Sequence, residues 1–147
     1  MLETKQKRQA EQILKEIFGY KVFRPFQEQC IYSALEKKDT LLVLPTGGGK
    51  SLCYQIPAMI FHGITVVISP LISLMQDQVR QLKNWGVPAE MLNSSLSHEE
   101  YSSVVAGLKS LQIKIIFMAP ETLLKDVTID MLSHLPVDCL AVDEAHC

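Results

Sequence analysis

The chain has 147 residues, 48% of them hydrophobic and 20% charged, with a formal net charge of −2. This size suits one ordinary domain with a real core, and the composition excludes a disordered chain. The slightly acidic balance excludes a surface dominated by basic charge, so any nucleic-acid contact must be local or supplied by parts outside this chain. No apolar run reaches the ~18 residues of a membrane span. Residues 1–8 are too charged for a secretory signal, so no membrane partner and a cytoplasmic location are expected. The cysteines Cys30, Cys53, Cys139 and Cys147 are scattered without a C-x-x-C pair. That spacing predicts no zinc site, and a reducing compartment predicts no disulfides. Cys30, Cys53 and Cys139 read as small core residues, while Cys147, the last residue, carries no reading.

In chain order, Ala10, Ile13, Leu14, Ile17 and Phe18 share one helical face and predict an amphipathic helix ending near Gly19. Pro25 is expected in the first turn of a second helix that carries Cys30, Ile31, Ala34 and Leu35. Leu41-Leu42-Val43-Leu44 is a short apolar run suited to a strand buried on both faces. A glycine-rich turn and a helix from about Lys50 follow, and Pro57 should kink or interrupt that helix because it offers no backbone N–H. Ile64–Ile68 predicts a β-branched strand. Leu71, Leu74, Met75, Val79 and Leu82 predict the apolar stripe of a helix stopped by Gly86-Val87-Pro88, with Trp85 packing at its end. Residues 89–92 suit a short strand. Ser97 and Glu100 form a capping box ahead of Tyr101, Val104, Val105, Leu108 and Leu111. Residues 114–118 and 139–142 complete five strands, with a weaker helical stretch between them broken around Asp126–Val127. Alternating strands and helices imply βαβ units and a parallel sheet covered on both faces.

Ligands of such sheets bind at the carboxyl ends of the strands. Thr46-Gly47-Gly48-Gly49-Lys50-Ser51 lies between a predicted strand and a predicted helix. Its glycines let backbone N–H groups converge on phosphate oxygens, and the helix N-terminus adds partial positive charge. Lys50 can reach the β- and γ-phosphates and Ser51 can ligate Mg²⁺. The general phosphate-loop pattern would place glycine at Leu44, but the G-x-G-K-S core is intact. At the far end, Leu140-Ala141-Val142 runs into Asp143 and Glu144. Asp143 is suited to hold Mg²⁺ through water, and Glu144 to orient or deprotonate an attacking water. Alone, such a pair is commonly a solvated loop; its pairing with the phosphate loop makes it catalytic. His146 either senses the γ-phosphate or satisfies a local hydrogen bond.

These residues resemble the RecQ DNA helicases of helicase superfamily 2. The likeness runs through Phe18-Gly19-Tyr20, Phe23-Arg24-Pro25-Phe26-Gln27 and Leu44–Ala58 with its Pro-Thr-Gly-Gly-Gly-Lys-Ser core. It continues through Val67–Val79 with Ser-Pro-Leu-Ile-Ser, Leu92-Asn93-Ser94, Ala119-Pro120-Glu121 and Asp143-Glu144-Ala145-His146-Cys147. The resemblance implies a P-loop NTPase (RecA-like) three-layer α/β/α fold with a mostly parallel sheet, incomplete at its C-terminal end. Residues 1–39 would be a helical segment with an adenine-recognition motif, and residues 40–147 the first RecA-like lobe. Gln27 would hydrogen-bond adenine, with Tyr20 and Arg24 packed around it; the other reading makes Tyr20 core and Arg24 a surface ion pair. Ser69 and Ser73 would contact single-stranded DNA phosphates, with an ordinary helix N-cap as the competing reading, and Asn93 and Ser94 would do likewise. Thr122 stands where many relatives carry arginine, which counts against a DNA contact from that position.

The implied activity is an ATP-dependent 3′-to-5′ DNA helicase, using ATP and Mg²⁺ and acting on single-stranded or partly duplex DNA. It would work in the bacterial cytoplasm and nucleoid, or in a eukaryotic nucleus. Alternatives are a DEAH-type RNA helicase, a P-loop kinase and a non-catalytic nucleotide-binding module. The chain stops after the acidic pair. The aromatic-rich loop, the strand beside the phosphate-loop strand and the second RecA-like lobe with its arginine finger would be supplied in cis by the full-length protein. An arginine finger contributes about 10³–10⁵ in rate, so the chain alone is expected to bind nucleotide weakly, turn it over scarcely and not unwind. A missing strand would also leave an unpaired sheet edge beside residues 41–44, inviting self-association.

Overall fold

A computed structural model describes residues 4–45 and 49–145. The chain forms two compact units, Met1–Phe61 and His62–Cys147. The first is helical: α1 (Thr4–Glu16), α2 (Gln27–Leu35) and α3 (Leu52–Ile60). Ala10 and Leu14 bury the apolar stripe of α1, as the periodicity predicts, and Gly19 sits just past its end with φ +75°. Both α1 and α2 pack against α3.

Pro25 does not open α2. It occupies the second position of a turn in which the Gln27 N–H donates to the Arg24 carbonyl (3.1 Å), and Phe26 takes φ 72° at the third. This is type II turn geometry, where proline pre-sets the first corner. Pro57 does not interrupt α3, which runs on to Ile60 with Pro57 buried among Leu52, Cys53, Gln55, Ile56 and Ala58. The loss of one backbone bond is outweighed by burial of nearly the whole helix face.

Residues 41–45 form no strand. Leu41 is 86% and Val43 83% exposed. Apolar β-forming residues suit a pleated sheet, but β geometry is held by cross-strand bonds, and four residues have none of their own. The described sheet therefore has four strands rather than five.

The second unit contains that sheet. Its elements are β1 (Ile64–Ile68), α4 (Ile72–Asn84), β2 (Ala89–Met91), α5 (His98–Lys109), β3 (Ile115–Met118), α6 (Pro120–Leu123), α7 (Asp126–Ser133) and β4 (Val137–Val142). Strand order is β2-β3-β1-β4, and every ladder is parallel. Right-handed crossovers in this order put α4 on one face and α5 to α7 on the other. Consistently, Ile64, Val66, Ile68, Ile116 and Met118 share one cluster with Val104 and Leu108 of α5, flanked by Leu123, Met131 and Leu132. β1 and β3 are buried throughout, which explains their unbroken apolar runs.

On α4 the buried stripe is Met75, Val79 and Leu82, whereas Leu71 and Leu74 are exposed, narrowing the predicted face. Trp85 caps the end of α4 and stays partly exposed. The capping box of α5 is present in both directions: Glu100 N–H donates to Ser97 Oγ and Ser97 N–H to Glu100 Oε1, each at 3.1 Å. Ser97→Ala should cost about 1 kcal/mol of stability, read as a denaturant midpoint shift at constant slope. Leu111 lies beyond the helix, exposed, at φ 59°.

The long open edge among the described strands is β4, with Val137, Leu140 and Val142 exposed, and not a strand at residues 41–44. Cys53 is buried as expected, but Cys30 and Cys139 are only half-buried. No helix among the described residues is long and apolar enough to cross a membrane.

Candidate nucleotide-binding and acidic sites

In the helical unit the geometry centres on Gly49. Its φ of +77° is left-handed, and a Cβ placed there would lie 2.5 Å from Gln27 Nε2 and 3.5 Å from an Arg24 guanidinium nitrogen. Only glycine lets the chain pass so close. Gln27 is 1% exposed, and its amide is used at both ends. Nε2 donates to the Gly49 carbonyl at 2.8 Å, and Oε1 accepts from the Arg24 N–H at 2.7 Å. A glutamine amide has four hydrogen-bond positions, so one lone pair and one N–H lie beyond these two bonds. The Arg24 guanidinium stands 6.0 Å from the centre of the Tyr20 ring, at the outer limit of a cation–π contact, and both side chains are exposed. Tyr20, Arg24, Gln27 and Gly49 are thus brought together.

The start of α3 follows at once. Lys50 and Ser51 form its opening turn, with Cys53 N–H donating to the Lys50 carbonyl and Gln55 N–H to the Ser51 carbonyl, both at 3.0 Å. Ser51 is the N-cap residue, yet its side chain makes no capping bond. Its hydroxyl is not spent on the helix. Thr46, Gly47 and Gly48 lie outside the described residues.

In the sheet unit the candidates line the carboxyl edge. Asp143 follows β4 directly, and its N–H donates to the Ile68 carbonyl at 2.8 Å, extending the ladder by one bond. The residue is 9% exposed, and Oδ1 accepts the Glu144 N–H at 2.9 Å. Glu144 takes φ 55°, a left-handed conformation that costs a non-glycine residue roughly 1–2 kcal/mol. Such strain persists where surrounding structure over-determines it, and it concentrates at functional sites. Asp143 and Ser51 are both hard oxygen donors, the kind that magnesium prefers. Each by its own chemistry fits Mg²⁺. His146 lies outside the described residues.

Ser69 follows β1 directly and is 2% exposed. Its Oγ accepts the Leu71 N–H at 3.2 Å, so it braces the turn into α4 while Leu71 holds the N-cap position. Ser73 is exposed on the first turn of α4. β1 and β3 are neighbours whose following helices leave to opposite faces, so Ser69 stands at a topological switch point, where such sheets receive ligands. Asn93 is occupied in a turn, its Oδ1 accepting from Ser95 N–H (2.9 Å) and Ser95 Oγ (2.5 Å), and Ser94 is exposed. Thr122 is buried in α6. The tie from Gln27 to the Gly49 carbonyl was not legible in the sequence, because the spacing of a motif does not reveal which backbone group it braces.

The family model described as DEAD/DEAH box helicase matches residues 24–147. The chain belongs to the DEAD/DEAH box helicase family. Among relatives of this helicase chain, the ATP-dependent DNA helicase RecQ of Haemophilus influenzae is 49% identical over 135 residues, covering 92% of the chain and 22% of the relative. The protein of the same name from Bacillus subtilis is 45% identical, covering 94% of the chain and 24% of its own length. The ATP-dependent DNA helicase Q1 of Mus musculus is 44% identical over 92% of the chain and 22% of the relative. The RecQ resemblance read from the motifs therefore stands, and the α/β fold with its parallel sheet accords with a RecA-like lobe. The helicase chain spans about a fifth to a quarter of these relatives.

Proposed function

We propose that this chain is the ATP-binding lobe of an ATP-dependent DNA helicase that couples Mg-ATP hydrolysis to 3′-to-5′ unwinding, acting in the cytoplasm or nucleus on single-stranded or partly duplex DNA. The observation that carries the reading is the Gln27 amide, which joins the Arg24 turn to the Gly49 carbonyl. One side chain thus couples the segment offered to a purine base with the loop offered to phosphates. Tyr20 and Arg24 would flank the base, and the remaining Gln27 lone pair and N–H would meet its edge. Gly49, with Thr46, Gly47 and Gly48, would present backbone N–H groups to the phosphates, and Lys50 would neutralise their charge. Ser51 and Asp143 would hold Mg²⁺, which when bound supplies Lewis-acid polarisation of phosphoryl oxygens. Glu144 would orient and deprotonate water. Ser73 and the backbone after Ser69 would meet DNA phosphates, with Asn93 and Ser94 nearby along the same sheet edge. By itself the chain would bind nucleotide without unwinding, the second lobe being supplied in cis.

The test is Gly49→Ala, read by equilibrium binding of a fluorescent ATP analogue. The added Cβ must displace Gln27 Nε2, and the left-handed φ disfavours alanine. Affinity should fall about tenfold, equivalent to roughly 1.4 kcal/mol. An affinity within twofold of the parent would remove the proposed role of this loop. In the full-length protein, stimulation of ATP turnover by single-stranded DNA but not RNA is the matching result for the substrate.

A further inference from the structure

Charge is not spread evenly over the chain. Residues 1–61 carry nine Lys and Arg against six Asp and Glu, whereas residues 62–147 carry five against ten. The helical unit is thus cationic by three and the sheet unit anionic by five, which the near-neutral total conceals. Within the helical unit a cationic face lies on α1. Lys5, Arg8, Gln12 and Lys15 recur at spacings of three, four and three residues, so they share one helical face, and all four are exposed. The opposite face, with Ala10 and Leu14, is the buried one. Lys7 belongs to another side, over the Tyr32 ring of α2 at 5.5 Å. Glu11 and Glu16 flank the cationic face, and Glu16 Oε1 accepts the Gln12 amide at 3.1 Å. Among the described residues no carboxylate forms an ion pair with Lys5, Arg8 or Lys15. Helix electrostatics does not account for the placement. The N-terminal end of a helix is already its positive pole, so cations stabilise the last turn and acidic residues the first. α1 has no acidic residue in its first turn and places Lys5, Lys7 and Arg8 in its first two. Core packing does not account for it either, because the three side chains are exposed. What such a face attracts is a polyanion.

We propose that the exposed face of α1, through Lys5, Arg8 and Lys15, binds the phosphate backbone of duplex DNA. From Lys5 to Lys15 the face runs about 15 Å, at about 1.5 Å of rise per residue. One strand of a duplex presents a phosphate about every 3.4 Å along the axis, so the face spans about four of them. Such contacts position a duplex without reading its sequence. Single strands are gripped by aromatic platforms as well as by charge, and α1 has no aromatic residue. An anionic membrane takes up an amphipathic helix by its apolar face, and that face of α1 is already buried in the packing on α3. The choice of DNA as the polyanion rests on the helicase reading above; the cationic face does not.

The experiment measures binding of a fluorescein-labelled DNA duplex by the full-length protein over a series of salt concentrations. Each phosphate contact contributes about 0.9 to the slope of log affinity against log salt. The combined variant Lys5→Gln, Arg8→Gln and Lys15→Gln keeps good helix formers at exposed positions and removes three cations. Its slope should be shallower than the parent's by about two to three, with affinity at low salt down by about tenfold or more. The charge-conserving variant Lys5→Arg, Arg8→Lys and Lys15→Arg should keep the parent slope. Lys109→Gln with Lys125→Gln removes two exposed cations from the sheet unit and should move the slope by less than about one. In every variant the fluorescent ATP analogue should bind within about twofold of the parent, which separates lost charge from lost fold. An unchanged slope in the glutamine variant, or an equal change per charge in the sheet-unit variant, overturns the proposal. So does a loss of binding to phosphatidylserine vesicles in the glutamine variant while its DNA slope stays intact. If the parent binds no duplex, the DNA reading and this face fall together; if the parent binds and the glutamine variant matches it, the face alone falls.

Discussion

Gly63→Ala is expected to destabilise the sheet unit by about 3 kcal/mol, the upper range for forcing atoms into a filled site. A Cβ at Gly63 would lie 2.2 Å from the Pro136 carbonyl oxygen and 2.7 Å from Asp138 Oδ2. The first of these is backbone and cannot swing away. The site is the start of the β1–β4 ladder. Ile64 N–H donates to the Pro136 carbonyl at 2.8 Å, and Gly63 N–H donates to Asp138 Oδ2 at 2.6 Å. Register there skips one residue: Ile64 pairs with Val137 and Thr65 with Cys139, leaving Asp138 as the bulged residue. The bulge frees the Asp138 side chain to turn back onto the Gly63 N–H. Separating the strands to admit a methyl group breaks both bonds at once. Since β4 delivers Asp143 to the carboxyl edge, the damage should reach the acidic pair. Thermal unfolding should show a midpoint lower by on the order of 10 °C. Asp138→Asn keeps an acceptor in place and should cost no more than about 1 kcal/mol. Equal midpoints for Gly63→Ala and the parent would show that the ladder starts elsewhere.

Glu144→Gln should lower DNA-stimulated ATP turnover of the full-length protein by about 10²–10⁴, the usual contribution of a positioned general base. The substitution is chosen because of the backbone. Glu144 holds φ 55°, and its N–H donates to Asp143 Oδ1. Glutamine carries the same conformational cost, the same length and the same backbone bond, so only the basic carboxylate is removed. Nucleotide affinity should therefore change by less than about threefold, since binding is assigned to other residues. A turnover within a few-fold of the parent would end the assignment of Glu144 to water. A parallel collapse of nucleotide affinity would instead mean that the carboxylate acts in binding.

Much of this molecule could be read residue by residue. The β-branched run Ile64–Ile68, the capping box at Ser97 and Glu100, and the apolar stripes of α1 and α5 are local signals, and each produced its element where periodicity placed it. The phosphate-loop and acidic motifs marked the family, because their chemistry needs those residue types in that order. Other features depended on partners distant in the chain. Residues 41–44 carry a strand's composition without a strand, because a ladder needs a neighbour and composition names none. Pro57 stays inside α3 because burial on several sides outweighs one absent hydrogen bond. Leu71 and Leu74 fit the helical period but not the buried face, whose width is set by the strands beneath it. Likewise, only the packing of α2 on α3 decided that Gln27 reaches the Gly49 carbonyl. Local pattern selects which conformation a segment prefers. Which side chains then touch depends on long-range packing, because contact energies act between groups that the chain's order keeps far apart.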